Sequence, residues 1–425
     1  MTPRKIEPSV IVPLAEYAGQ RPERRKRISE IKKNRRLEVG PVATFYFESY
    51  DTMLHQVHEM LFIDNDVVAT VLTTKDCIAV QERAFAGVLT GASVSRPRLD
   101  TFAPCDREDG YYRFGSVEGA TDGIHAVRLK SDVMTWPRNP DGAWSEKKYC
   151  VRPDTYCGLV LLFSTANGEP LAILNDGHLQ HMRVGAAAGI GARLLSRPDS
   201  RRVGLIGSGG MARTVLEALV AVRDIEEVRV FSRNPANRTR FADEMSDSLG
   251  IRIEPVESAR EAVRGADILA TATDSMLPVV EAEWLEPGMH VVGIGPLDFA
   301  PACEARIDVV VRQGVEAFDM PESGQFRRDL GHSRSAFVGG SPEQQKRLPP
   351  VTAKQRSGKT WPLYTDVIAG RAEGRTTAAQ ITQYRAVGNW GLQFAACGGL
   401  AYREAKARGL GRELPTDWFL QTIKN

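Results

Sequence analysis

The sequence lacks most of the features that would place it at a glance. No apolar run reaches the roughly 18 residues that a membrane-spanning helix needs, so no membrane partner is expected. No Cys-x-x-Cys pair occurs. The six cysteines (77, 105, 150, 157, 303 and 397) are scattered, which argues against a zinc site or a disulfide frame and for thiols in a reducing compartment. Net charge is almost absent, +2 from 55 Lys and Arg against 53 Asp and Glu, so a chain built around nucleic acid is not expected. Met1-Thr2-Pro3-Arg4-Lys5 leads into no apolar core of the signal-peptide kind, and a cytoplasmic location follows as the expectation. Ser116 and Ser208 have no nucleophile-elbow context. His55-x-x-His58 and His178-x-x-His181 have helical pair spacing but no third ligand nearby, so no metal is expected.

What is present is ordinary in bulk and specific in places. With 425 residues, 42% hydrophobic and 25% charged, the chain has room for two domains or three small ones. One local excess of charge stands out. Arg21 to Arg36 holds nine Lys or Arg against two Glu, without interleaved aromatic residues, which favours a solvated extension over residues 1–45 rather than a nucleic-acid surface.

The most informative stretch is Arg202 to Arg213. Arg202-Val203-Gly204-Leu205-Ile206 reads as a short strand, followed by Gly207-Ser208-Gly209-Gly210-Met211-Ala212 and by Val215, Leu216, Leu219 and Val220 at helical spacing. A dinucleotide pyrophosphate needs this order of strand, glycine turn and helix. Gly207 permits the tight turn, Gly209 the close approach of backbone to phosphate, and Ala212 the packing of helix on strand. The helix start then offers free N–H groups to the anion.

Strand and helix alternate after that turn. Further strands are predicted at 227–232, 251–256, 267–271, 290–293 and 308–311, as a doubly wound parallel sheet requires. Ligands in such sheets lie at the carboxyl ends of the strands, which singles out Thr273 and Ser275 after the fourth strand and Gly295 to Asp298 after the fifth. The second strand ends in Ser232-Arg233-Asn234, with Arg238 close behind and no carboxylate to repel a 2′-phosphate. NADP(H) is therefore favoured, with NAD(H) as the alternative.

The flanking regions read as a separate α+β part. Thr73 or Thr74 caps a helix over 75–85, and 158–164 with 171–174 form a hairpin. The loop 136–142 is rich in breakers. A helix over 176–195 carries small residues from Gly185 to Gly191, with Arg183 among them. That arginine either faces solvent or is reached by a planar anion. Residues 313–360 read as loop chemistry of lid or insertion length, and 382–408 as a final helix closed by Gly409.

Four stretches together resemble the ornithine cyclodeaminase and mu-crystallin family: Leu179-Gln180-His181-Met182-Arg183-Val184-Gly185-Ala186-Ala187, the turn 207–212, the segment from Leu285 to Asp298, and Gly374-Arg375 followed by 380–388. The resemblance covers about residues 60 to 412. It implies a Rossmann dinucleotide-binding domain over 176–330, inserted into an α+β substrate and dimerisation domain over 46–175 and 340–425, usually in a homodimer. It also implies that Arg183 and Arg98 bind a substrate carboxylate, that Lys130 is the active-site lysine and that Asp298 is the acid/base at the amine nitrogen.

Val184, Ala386, Gln393 and the segment Gly119-Ala120-Thr121-Asp122 depart from the family pattern and argue against ornithine as the substrate. The expected activity is hydride transfer at the C–N bond of an amino acid or imine, by imine reduction, amino-acid oxidation or cyclodeamination. The alternative is a nicotinamide-nucleotide-binding protein of mu-crystallin type with little catalysis.

Overall fold

The computed structural model describes residues 59–138, 145–275, 277–295, 298–318, 320–321, 324–349 and 360–423. The 1–45 extension with its basic run, the His55/His58 pair and the 139–142 end of the breaker loop lie outside those residues.

Two sheets carry the described chain. The first begins with β1 (Glu59–Ile63), then α1 (Asn65–Val71) and α2 (Thr74–Thr90). Asp64 and Thr73 cap the two helices, accepting the N–H groups of Val67 and Asp76. α2 runs one turn past the predicted end and stops where Gly91 takes the left-handed conformation, φ +74°. Three long strands follow as an antiparallel meander: β2 (Val94–Ala103), β3 (Gly110–Thr121) and β4 (Ile124–Thr135). Short β5 (Lys147–Cys150) and β6 (Arg152–Pro153) extend from the end of β4. β7 (Cys157–Ser164) and β8 (Pro170–Asn175) form the expected hairpin beside β4.

After α3 (Gly177–Leu195) the chain builds the second sheet. Its elements are β9 (Arg202–Ile206), α4 (Gly210–Val222), β10 (Glu227–Phe231), α5 (Pro235–Leu249), β11 (Arg252–Pro255), α6 (Ala259–Val263), β12 (Ile268–Thr271), β13 (His290–Gly293) and β14 (Val309–Arg312). All six expected strands are there, and every pairing in this sheet is parallel.

Two segments behave differently from the sequence reading. Within 313–360, β15 (Phe326–Leu330) and β16 (Ser333–Val338) form a hairpin whose second strand pairs with β2 and extends the first sheet. Charge hides them, because Arg327, Arg328 and Asp329 interrupt any apolar run. Within 382–408, Thr382–Arg385 is not helical. It is a strand, β17, inserted between β13 and β14, with Thr382 and Tyr384 buried in alternation. Gly388 (φ +84°) and Asn389 (φ +51°) then turn the chain into α9 (Trp390–Ala407). The chain thus passes between the sheets more often than a single insertion over 176–330 requires, before β18 (Arg412–Pro415) closes the first sheet against β1.

One apolar core joins the sheets. It runs from Val117, Ala126, Val160 and Leu162 on the inward face of the first sheet, through α2, α3 and α9, to Tyr384 and Val311 of the second. The small residues of α3 serve this packing. A Cβ on Gly185 would lie 2.3 Å from the Thr214 carbonyl oxygen, and one on Gly191 would lie 2.4 Å from the Tyr384 ring. What they admit is the backbone of α4 and the side chain of β17.

Candidate active site

The glycine turn has the geometry that a pyrophosphate requires. Gly207 takes φ +115°, and a Cβ there would lie 2.3 Å from the Ala272 carbonyl oxygen. Gly209 is the N-cap of α4, carries no side-chain cap, and has open space around its Cβ position. The N–H groups of Gly210, Met211 and Ala212 therefore begin a helix with no side chain to satisfy them, which is an anion site by construction. Ala212 is fully buried against β9, as the packing argument demands.

Around the turn, the Ser208 hydroxyl lies 2.9 Å from that of Ser232 at the end of β10. Arg233 is exposed, while the Asn234 side chain caps α5. Arg238 reaches this loop, but its guanidinium is engaged by the Ser232 carbonyl (3.1 Å) and the Glu257 carboxylate. His181 is unexpectedly close to the turn: a Cβ on Gly210 would meet its Cε1 at 2.5 Å. Among the described residues no cluster of metal-ligand type occurs.

Asp298 sits beyond the end of β13 with no exposed surface. Its carboxylate accepts from Thr271 Oγ1 and Thr273 Oγ1, both at 2.7 Å, and from the Gly295 N–H at 3.0 Å. A Cβ on Gly295 would lie 2.4 Å from Oδ1, so glycine is required there. Thr273 and Gly295, read from the sequence as cofactor contacts, are thus gathered around the aspartate. Ser275 accepts the Leu277 N–H and donates to the Leu277 carbonyl, stabilising the same loop. Burial raises the proton affinity of Asp298, and its three hydrogen bonds only partly oppose that shift.

The first sheet faces this site with a row of charges. Along β4 the inward positions are Ile124, Ala126, Arg128, Lys130, Asp132 and Met134, apolar at one end and charged in the middle. The partners of Lys130 across the sheet are both glycines, Gly115 and Gly158, so no side chain flanks the lysine on β3 or β7. The Asp100 carboxylate leans over Gly115, where a Cβ would come within 2.2 Å of Oδ1. Asp100 in turn accepts from Arg98 Nε at 2.8 Å and from the Ser333 hydroxyl of the β15–β16 hairpin. The second terminal nitrogen of Arg98 is buried without a partner.

Lys130 Nζ lies 3.5 Å from Asp132, but that carboxylate is already gripped by Nε and Nη2 of buried Arg113. Nζ also stacks on the Tyr156 ring, 4.4 Å from its centroid. Burial, and then the charges of Arg113 and Lys148, push the Lys130 amine well below the ordinary lysine range.

Arg183 is brought to the same row by aromatic rings. Its guanidinium lies 5.1 Å from the centroid of Phe394, and that of Arg128 lies 5.6 Å from the same ring. Arg128 pairs with Asp176 at 2.6 Å. Among the described residues Arg183 has no carboxylate as hydrogen-bond partner: it donates to the side-chain amide oxygens of Gln180 (2.8 Å) and Gln393 (3.0 Å). Burial, followed by the charge of Arg128, lowers its affinity for the proton to about 9. Arg98, Lys130 and Arg183 therefore line one wall. Asp298 is linked to the first sheet through His332, whose charge acts on it and which is paired with Glu146 at 3.0 Å.

The sequence reading missed Arg128, Asp132, Tyr156, Asp176, Glu146 and His332. The first two carried a signal. Arg128, Lys130 and Asp132 share one face at a period of two, on a strand whose other inward residues are apolar.

Comparison with known proteins bears on the family and the fold. The family model described as ornithine cyclodeaminase/mu-crystallin matches residues 143–392, and a family described as a protein of unknown function matches residues 5–72. An alanine dehydrogenase of Archaeoglobus fulgidus is 28% identical over 359 residues, 84% of this chain and 98% of that one. A Δ1-pyrroline-2-carboxylate reductase of Bacillus cereus is 28% identical over 282 residues, 64% of this chain and 75% of that one. Among solved structures, the Δ1-pyrroline-2-carboxylate reductase of Thermococcus litoralis, in complex with NADH and L-proline, superposes with a TM-score of 0.63. That match has 27% identity and covers 84% of this chain and all of the other. The chain belongs to the ornithine cyclodeaminase/mu-crystallin family, and with it to the nicotinamide-dependent oxidoreductases and cyclodeaminases that act on amino acids and imines.

Proposed function

We propose that the protein reduces an imino acid, or in reverse oxidises an amino acid, with NADP(H) preferred over NAD(H). The observation that carries this reading is Asp298, a buried carboxyl of raised proton affinity beyond the end of β13, in the same sheet as the uncapped dinucleotide turn. The nicotinamide supplies or accepts a hydride at C4 when bound. Arg98 and Arg183 hold the substrate carboxylate by charge-assisted hydrogen bonds; the partnerless nitrogen of Arg98 and the neutral amide partners of Arg183 leave both available. Lys130, its proton affinity lowered by burial, donates to the same carboxylate or polarises the reacting group. As hydride reaches the imine carbon, Asp298 gives its proton to the nitrogen and becomes a carboxylate, held by Thr271, Thr273 and Gly295. In oxidation the same carboxylate takes the proton back.

The cofactor preference rests on the end of β10, where Arg233 is exposed, Ser232-Arg233-Asn234 has no acidic member, and the nearby Glu257 carboxylate is paired with Arg238. Roles for Ser208, Ser232 and Asn234 in holding the adenosine side follow from the same loop. The outward face of the first sheet carries half-buried Val127, Leu129, Leu159 and Leu161, which supports a homodimer packed through this sheet. Light scattering should then give twice the mass of the chain, and a single-chain mass would remove that part of the reading. A cytoplasmic setting suits six unpaired cysteines.

The activity is tested by mixing protein with NADPH or NADH and a panel of cyclic imines and 2-oxo acids with ammonia or methylamine. Consumption of reduced cofactor with amine formation is expected. Tight cofactor binding with no consumption across the panel would favour a binding protein of mu-crystallin type instead.

A further inference from the structure

His178-x-x-His181 stands out in the sequence as a pair at helical spacing, and the second histidine has a place beside the glycine turn. α3 and α4 run parallel with their turns in step. Gly185 of α3 meets Thr214 of α4, Gly189 meets Ala218, and His181, one turn earlier, meets Gly210. Gly210 is the first residue of α4. The first turn of α3, from Gly177, therefore projects past the start of α4, where the glycine turn enters it. A Cβ on Gly210 would lie 2.5 Å from Cε1 of the His181 ring, 3.0 Å from Nδ1 and 3.1 Å from Nε2. Each ring nitrogen is thus no more than about 5.6 Å from the Gly210 amide nitrogen. Two hydrogen bonds of about 2.9 Å that meet at one phosphate oxygen span that distance. The ring is half-buried, and neither of its nitrogens has a hydrogen-bond partner among the described residues. The backbone behind it is fixed, since the Thr214 hydroxyl donates to the His181 carbonyl at 2.8 Å.

We propose that His181 is a further cofactor-binding residue: its ring donates a hydrogen bond to the diphosphate received by the start of α4, and binds that anion most tightly as the imidazolium. The inference rests on the dinucleotide reading of the turn 207–212 and adds a side-chain donor to the backbone N–H groups there. In the free protein, burial and then the charge of His178 lower the proton affinity of the ring, while Asp176 opposes them. A diphosphate brings negative charge to the ring and raises that affinity, so binding takes up a proton. With the pKa of the ring higher in the complex than in the free protein, cofactor affinity is greatest below both values and declines as pH rises from one to the other. The other charged or titratable groups of the two helices near this point are Asp176 and His178 on α3 and Arg213 and Glu217 on α4. Asp176 is paired with Arg128, Arg213 is paired with Glu244, and Glu217 accepts from the Thr74 hydroxyl at 3.0 Å. His178 is kept in every variant below and so drops out of the comparison.

Titrations of the full chain test this, with NADH and NADPH followed by fluorescence and ADP-ribose by calorimetry. His181→Ala should raise the Kd for each of the three by about tenfold, because all of them carry the diphosphate. His181→Gln, which keeps a donor but cannot take up a proton, should recover part of that loss. For NADH, which lacks a titrating 2′-phosphate, wild-type affinity should fall by about threefold or more between about pH 6 and pH 8, and both variants should flatten that fall. Unchanged Kd values in His181→Ala, or a pH dependence of NADH binding that both variants keep, would overturn the proposal while the dinucleotide reading stands. A loss confined to NADPH would also overturn it, since the ring would then read the 2′-phosphate. If the wild-type chain binds none of the three, the dinucleotide reading fails and the proposal fails with it.

Discussion

The two sheets meet at one site but are built on opposite principles. The parallel sheet is covered on both sides, its central strands β9, β12 and β13 are largely apolar, and its functional groups lie beyond the strand ends: the Gly207 turn, Thr273, Gly295 and Asp298. The antiparallel sheet puts its functional groups in the middle of its strands, as charged residues facing inward from β2, β3 and β4. The first arrangement keeps chemistry away from the core. The second inserts chemistry into the core and needs a partner for nearly every charge, which explains the Arg113–Asp132, Arg128–Asp176 and Arg98–Asp100 pairs.

That contrast can be broken from either side. The largest effect is expected in the antiparallel sheet. Arg113→Met leaves Asp132 buried without its guanidinium and should cost about 3–5 kcal/mol of stability, read by denaturant unfolding. A change under 1 kcal/mol, roughly that of an exposed pair, would show that the row is not a buried charge network. In the parallel sheet, Gly207→Ala drives a Cβ into the Ala272 carbonyl at an unfavourable φ. It should weaken dinucleotide binding by about a hundredfold, near 2.7 kcal/mol, by fluorescence titration; undiminished affinity would contradict the assignment of the turn.

Smaller effects sharpen the picture. Arg233→Ala should lower the preference for NADPH over NADH by about tenfold, and an unchanged ratio would locate the discrimination elsewhere. Asp298 gives a pH signature. Its folded pKa is raised, so imine reduction, which needs the acid form, should decline as pH rises through that value, while amine oxidation should rise over the same range. A reduction rate that increases with pH there would reverse the assigned proton flow.

The same contrast decides what the sequence could reveal. The parallel sheet is legible because burial on both faces forces apolar strands and the turn forces glycine, so 202–213 and the six strands read directly. β17 escaped because small residues after it, Gly391, Ala395, Ala396 and Gly398, lend a helical look to the whole segment. In the antiparallel sheet Arg98 and Lys130 were reached through family resemblance, since a charged residue in a strand ordinarily signals solvent. The β15–β16 hairpin stayed hidden for that reason, and with it Ser333 against Asp100 and His332 against Glu146. Pairing across a sheet is a long-range fact that spacing along the chain does not carry.

The most direct test of the account is the pair of constants for Asp298→Asn. The asparagine keeps the shape of the side chain and loses the proton. If the parallel sheet contributes cofactor site and proton as described, the Kd for NADPH stays within about twofold, while kcat for imine reduction falls by about 10²- to 10⁴-fold. Turnover that survives the substitution, with cofactor binding intact, would contradict the central claim.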